Sequence, residues 1–218
     1  GSAPRIINEF GNDLIIHRLR SASIGEQVKL LRSFARKKPD AVVIECMAVQ
    51  PQYQWVSEQK MIKSTVCVIT NVRPDHLDEM GSKMEDIAFS LSNTIPFDGT
   101  LVTAEKDILS PLSEVAASRN SKVKVVDSNL IEPDYMNKFS FLEHSENVAI
   151  ALEVCKNVGV SEKTALLGML KTNPDPGALV IWNLNFTNKS HNFVNAFAAN
   201  DPKSTLQIWH MLKNRIIE

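Results

Sequence analysis

TVCVIT (65–70) runs directly into NVRPDHLDEMG (71–81), and this junction decides the fold. A short, continuous apolar run followed at once by a polar loop reads as a strand covered on both faces, which is the habit of a parallel sheet. Ala41–Ile44 is a second such run, ended by Glu45. Between the two, Pro51–Met61 reads as a helix. Downstream, Met84–Asn93 reads as a helix and Thr100–Thr103 as a strand. Pro111–Arg119 then reads as a helix with Ser110 as its cap, and Lys122–Val126 as a strand. Strands alternating with helices predict an α/β fold: a mostly parallel sheet with helices on both faces.

Upstream, Arg5–Phe10 and Asp13–Leu19 flank Gly11-Asn12, the signature of a hairpin. Ser23 and Glu26 have capping-box spacing, and Ile24, Val28, Leu31 and Ala35 share one helical face until Pro39 stops the helix. After Val126 the pattern changes. Glu143–Val158 reads as a long helix closed by Gly159, and Ser161–Lys171 as another capped by Ser161. Asn173–Gly177 forms a rigid loop. Ala178–Leu184 and Phe193–Phe197 read as strands, Asn200–Ser204 as a polar turn and Thr205–Ile216 as a last helix. A boundary falls within Pro174–Phe193. The expected division is a central domain, 1–185, and the beginning of a second, 186–218.

The composition narrows the function classes. With 44% hydrophobic and 22% charged residues, the 218-residue chain has the balance of a soluble globular protein with a sizeable core. A net charge of −1 with no basic block leaves no electrostatic footprint for nucleic acid. No apolar run approaches the length needed to span a bilayer. Cys46, Cys67 and Cys155 lack metal-ligand spacing, and the first and second lie in apolar runs, so they read as buried free thiols.

In parallel sheets, ligands bind beyond the carboxyl ends of the strands. Glu45 and the Asn71–Asp78 stretch follow two successive expected strands and so share one rim. A carboxylate at Glu45 must face that rim, because a charge inside the sheet is prohibitively costly. It has the oxygens to hold Mg²⁺, or it caps a neighbouring helix. Asp75, His76 and Asp78 have the donors for a shared metal or phosphate site; the plainer reading is a solvated loop in which an aspartate caps a turn. His17, His191 and His210 have no partner visible in sequence and read as structural or exposed. Trp55, Trp182 and Trp209 are isolated and read as core or interface residues.

VVIECMAVQP (42–51) and VITNVRPDHLDEMG (68–81) resemble the paired signatures of the Mur ligases. IECMAVQP (44–51), NPDPGA (173–178) and FVNAFAANDPKST (193–205) are similar to one branch of that family, the ATP-binding subunits of poly-γ-glutamate (capsule) synthase. The similarity runs over nearly the whole chain. It implies a Mur-ligase central domain that uses ATP and Mg²⁺ to join glutamate to a growing poly-γ-glutamate chain through an acyl-phosphate. By the resemblance, Glu45 and His76 are metal ligands and Lys203 stabilises charge at the reacting phosphate. Asn147 contacts adenine, Asp201 contacts ribose, and Asn71 lies beside the nucleotide. Ser23, Arg73, Asp75 and Asp78 fall where substrate is contacted. The implied partners are the membrane subunits of the synthase, at the cytoplasmic face of the cell membrane, and a homo-oligomer is left open.

The sequence departs from the family in three places. Many members carry a carbamylated lysine on the helix after the histidine motif; Ser90 aligns there and Lys83 comes too early. PDPGA (174–178) replaces an arginine that usually precedes the C-terminal domain. No G-x-x-x-x-G-K-[ST] phosphate cradle occurs in these residues. The resemblance implies that the cradle lies just upstream of Gly1, behind a membrane-proximal segment, and that most of the C-terminal domain follows Glu218. A chain lacking the cradle is expected to be inactive alone. Two other readings remain: an inert docking module, and a different Mur-type ligase acting on folate or peptidoglycan precursors.

Overall fold

The computed structural model describes residues 4–18, 23–174, 177–187, 189–197, 199 and 202–216, without the side chains of Lys203 and of 214–216. The chain divides into two compact units, one through Val126 and one from Asp127.

The first unit is built around a three-stranded parallel sheet in the order β3 (Val66–Ile69), β4 (Thr100–Thr103), β5 (Lys122–Val125). The register runs Cys67↔Leu101↔Val123 and Ile69↔Thr103↔Val125. Leu101, Val102 and Thr103 of the central strand are wholly buried. Such a strand must satisfy every backbone donor and acceptor in ladders, and its apolar content makes that burial favourable. Between β3 and β4 come α3 (Leu77–Met80), α4 (Met84–Leu91) and a 3₁₀ turn, Ser92–Thr94; α5 (Leu109–Ser118) links β4 to β5. Ile87 and Ala88 of α4 and Leu112 and Ala116 of α5 close over Cys67, Ile69 and Leu101 in one apolar cluster. Burial pushes the Cys67 thiol up to about 12, against a contact with the Thr94 hydroxyl at 3.4 Å.

Upstream, β1 (Arg5–Ile7) and β2 (Asp13–Ile15) form the expected antiparallel hairpin, with Gly11 at φ +79° in its turn. α1 (Ile24–Lys37) begins at the Ser23 cap, whose hydroxyl accepts from Glu26 N at 3.3 Å. The capping box is only half realised, because the Glu26 carboxylate is taken by the Arg18 guanidinium. The apolar face of α1 is not a core face either: Ile24 is 46% exposed, and the buried residue of the helix is Gln27.

Ala41–Ile44 overturns an expectation. It forms no strand, Val43 is 95% exposed, and Cys46 is an exposed thiol instead of a buried one. Among the described residues the run makes no ladder, and β3 is paired on its β4 side alone. α2 (Pro51–Val56) follows and continues into a π-helical stretch, Ser57–Ile62.

The second unit holds α6 (Pro133–Met136), α7 (Ser145–Asn157), α8 (Glu162–Met169), a hairpin of β6 (Val180–Phe186) and β7 (Lys189–Asn195), and α9 (Pro202–Ile216). Phe139 packs edge-on to both Tyr135 and Phe141 beside Val148. Gly159 at φ +80° follows α7, and the Ser161 hydroxyl caps α8 through Thr164 N at 3.2 Å. β7 starts well before the expected Phe193. That earlier start makes Trp182 a cross-strand partner of Phe193, their rings stacked at 5.7 Å, so Trp182 is not isolated.

Two outcomes follow from this packing. Leu112→Ala should lower stability by about 2–5 kcal/mol through a cavity in the sheet–helix core, read as a lower urea midpoint with an unchanged slope. Cys67 should resist iodoacetamide at pH 8 in the folded chain and be alkylated once it is unfolded, as mass spectrometry of the labelled peptides would show.

Candidate active site

β3 and β4 run parallel, so the loops leaving Ile69 and Thr103 emerge on the same rim. Ala104 N donates to Thr70 O at 3.3 Å and carries the ladder to that edge. The loop after β3 holds Asn71, Arg73, Asp75, His76 and Asp78, which brings five of the expected site residues together. Val72 anchors it, with a side chain only 3% exposed inside the apolar cluster.

The backbone of this loop is tied down by a residue not expected from sequence. Glu105, just past β4, is buried. Its Oε2 accepts from Val72 N at 2.8 Å; its Oε1 accepts from Asp107 N at 2.8 Å and Ile108 N at 3.0 Å. Burial alone would push this carboxyl up, but the amides of Val72, Ile108, Asp107 and Lys106 together hold it below the usual range. Ser110 does not cap α5, which begins at Leu109 without a side-chain cap; Glu105 closes the turn that leads into the helix, and the Ser110 hydroxyl donates to Glu114 at 3.0 Å. An acid directly after a buried strand was the signal used for Glu45, and it applies equally to Ala104-Glu105.

His76 adopts a left-handed backbone, φ 47° and ψ 46°, and heads the single turn α3. Its N–H donates to Asp75 Oδ1 at 2.9 Å, and its ring Nε2 stands 3.7 Å from the same oxygen. Both side chains are about half exposed. Asp78 lies in the first turn of α3 and is exposed. Gly81 closes the turn at φ +111°, and a Cβ there would stand 2.4 Å from the Asp86 Cβ.

Glu45 is exposed on the irregular stretch before α2, not at a strand end. Its charge reaches Arg18, which stays protonated chiefly through hydrogen bonds to Glu26, against desolvation and with help from the charges of Glu26 and Glu45. The stretch beyond Glu45 is held by Gln54, which is 1% exposed. Gln54 Nε2 donates to Ala48 O and Val49 O, each at 3.2 Å, and its Oε1 accepts from Ser90 Oγ at 3.2 Å. Ser90, aligned with the carbamylated lysine of many Mur ligases, is therefore a buried partner of Gln54; a longer side chain there would displace that contact.

Elsewhere, Ser23 caps α1, and Asn147 Nδ2 donates to Glu143 Oε1 at 2.8 Å at the start of α7. Asp201 and the Lys203 side chain lie outside the described residues. Among the described residues, no group of three His, Cys, Asp or Glu side chains forms a closed metal cage. A cavity of about 430 Å³ lined by Thr65, Gly99, Thr100 and Lys122 lies at the opposite end, where the three strands begin, and is not part of this rim.

Residues 20–173 match the Mur ligase middle domain. The chain belongs to the Mur ligase family. Residues 181–218 match the C-terminal domain of poly-gamma-glutamate synthase CapB. Relatives in this family include the capsule biosynthesis protein CapB of Bacillus anthracis, 42% identical over 96% of this chain and 46% of its own length. The PGA synthase CapB of Bacillus subtilis is 39% identical over 88% of this chain and 49% of its own. The chain thus spans about half the length of these Mur-family relatives. Solved structures of similar fold include a bifunctional folylpolyglutamate synthase/dihydrofolate synthase from Yersinia pestis, complexed with AMPPNP and Mn ion. It has a TM-score of 0.65 at 16% identity, covering 87% of this chain and 47% of that one. The folylpolyglutamate synthase of Thermotoga maritima has a TM-score of 0.59 at 20% identity, covering 88% and 48%.

Gly81→Ala should destabilise the chain by about 1–3 kcal/mol, because it forces a side chain into a positive-φ position already filled by Asp86. Differential scanning calorimetry would register the lowered melting temperature, and amide shifts across 76–81 would show the loop rearranging.

Proposed function

We propose that this chain is part of an ATP-dependent amide ligase that extends poly-γ-glutamate. The observation that supports it is the rim loop, with Asp75, His76 and Asp78 beyond a parallel strand, in a chain matching the Mur ligase middle domain. The names of the relatives point to poly-γ-glutamate as product. Folylpolyglutamate synthase neighbours complexed with AMPPNP, Mn and L-glutamate point to a nucleotide, a divalent cation and glutamate.

In this reading ATP transfers its γ-phosphoryl group to a glutamate carboxylate and leaves as ADP. The amine of the incoming glutamate attacks the acyl carbon, phosphate departs, and the nitrogen gives up one proton to leave an amide that keeps its N–H. The chain's share is positioning and charge compensation.

Mg²⁺ is usually held by one or two protein carboxylates together with phosphate and water, and Glu45, Asp75 and Asp78 are exposed carboxylates. Glu45 and His76 are the proposed ligands of two neighbouring ions, with Asp75 beside the imidazole at 3.7 Å; such ions would neutralise charge on the phosphates. Asn147 and Asp201 are the proposed adenine and ribose contacts, Asn71 lies beside the nucleotide, and Lys203 compensates the reacting phosphate. Arg73, Asp75, Asp78 and Ser23 are proposed to meet the glutamyl substrate.

The phosphate cradle is proposed to come from a segment outside these residues. The free edge of β3 and the unpaired apolar run Ala41–Ile44 favour a strand supplied beside them. Membrane subunits of a polyglutamate synthase are the proposed partners; no helix among the described residues is long and apolar enough to cross a membrane.

The test is ADP formation by the full-length gene product with its membrane subunits. Turnover should require glutamate, and hydroxylamine should trap a glutamyl hydroxamate; ADP release indifferent to glutamate would reject the ligase reading. Glu45→Ala and His76→Ala should each lower kcat by about 100-fold or more, the scale of one lost charge-neutralising contact, while circular dichroism stays unchanged. These 218 residues alone should bind Mg·ATP only weakly, so micromolar binding in isothermal titration would refute the missing cradle.

A further inference from the structure

We infer that Glu105 is a positioning residue for the rim loop: its buried carboxylate, by holding Val72 N–H, sets where Asp75 and His76 stand. The inference rests on the metal role proposed above for that loop. Closing the turn before α5 needs only Oε1, which takes Asp107 N and Ile108 N. The other oxygen reaches across to Val72, from the loop of the next strand, at 2.8 Å. The carboxylate therefore ties two rim loops into one body.

Val72 is then fixed twice, by its side chain in the apolar cluster and by its amide on Glu105. Only Arg73, Pro74 and Asp75 separate it from His76, and proline locks one of the few soft dihedrals in between. His76 itself holds a left-handed backbone that a non-glycine residue adopts only when its surroundings impose it. A displacement at Val72 consequently reaches the imidazole with little to absorb it. Removing the carboxylate also strands buried amide donors, which is costlier than losing the bonds between them.

The test uses the isotope-labelled 218-residue chain and Mn²⁺ as probe. In Glu105→Gln one acceptor oxygen becomes an NH₂ that cannot accept. Val72 amide exchange should speed up by about 10-fold or more, the loss of one charge-assisted hydrogen bond. The Mn²⁺ concentration that half-broadens the His76 ring signals should rise by a similar factor. Phe139→Leu, which loosens the separate apolar cluster of the second unit, should leave that midpoint within about two-fold, as expected for sites that share no partner. Glu105→Asp keeps the charge on a shorter arm, should fall between wild type and Glu105→Gln, and gives the same reading if the glutamine variant fails to fold. Unchanged Val72 exchange overturns the inference, as does a Phe139→Leu shift as large as that of Glu105→Gln. If Mn²⁺ leaves His76 untouched in the wild type, the metal assignment falls on its own. Val72 exchange and the His76 ring shifts then still decide whether Glu105 sets the loop.

Discussion

The first unit depends on the ladders that hold β4 between β3 and β5. β4 is the strand whose residues Leu101–Thr103 are entirely buried, so its peptide groups have no recourse to water. The helical crossovers through α4 and α5 bring both neighbours in parallel to it. That direction sends the loops after β3 and β4 to a common rim, and the rim gathers polar side chains because it is the nearest place where charge remains hydrated. The apolar cluster under α4 and α5 supplies the favourable burial, but pairing decides where the chemistry can sit.

What was legible in the sequence follows the same division. Thr100–Thr103 was readable to the residue, and Thr65–Thr70 nearly so, because an apolar run and its pairing partner both lie within the chain. Ala41–Ile44 has an equally apolar composition and was misread. Composition reports the capacity to be buried, whereas a strand also needs a neighbour, and no local pattern encodes that. The exposed Cys46 and the uncovered face of α1 have the same root: residues patterned for a core face little of one. On the rim, the loop carrying His76 was visible as a cluster of acids, histidine and arginine. Glu105 was visible by the argument already applied to Glu45, an acid following a buried strand, yet its role is to hold backbone amides and not to meet solvent.

The second unit shows a related limit. Its long helix was readable from periodicity and the glycine that follows it. The β6–β7 hairpin was half seen, because Lys189–Asn192 is polar on both faces and carries no alternation. Backbone pairing with β6 makes it a strand, and that pairing brings Phe193 against Trp182. Ser90 and Gln54 give the opposite lesson. A departure from the family pattern that looks like a loss in one dimension is a filled, hydrogen-bonded position in three.

The two edges of the sheet are not alike. β5 carries Lys122 and Lys124, exposed cations of the kind that keep strange strands away, whereas β3 offers Val66–Ile69 without a charge. Growth by strand addition is therefore one-sided. Within this sheet, a further strand is admitted at the β3 margin and turned away at the β5 margin.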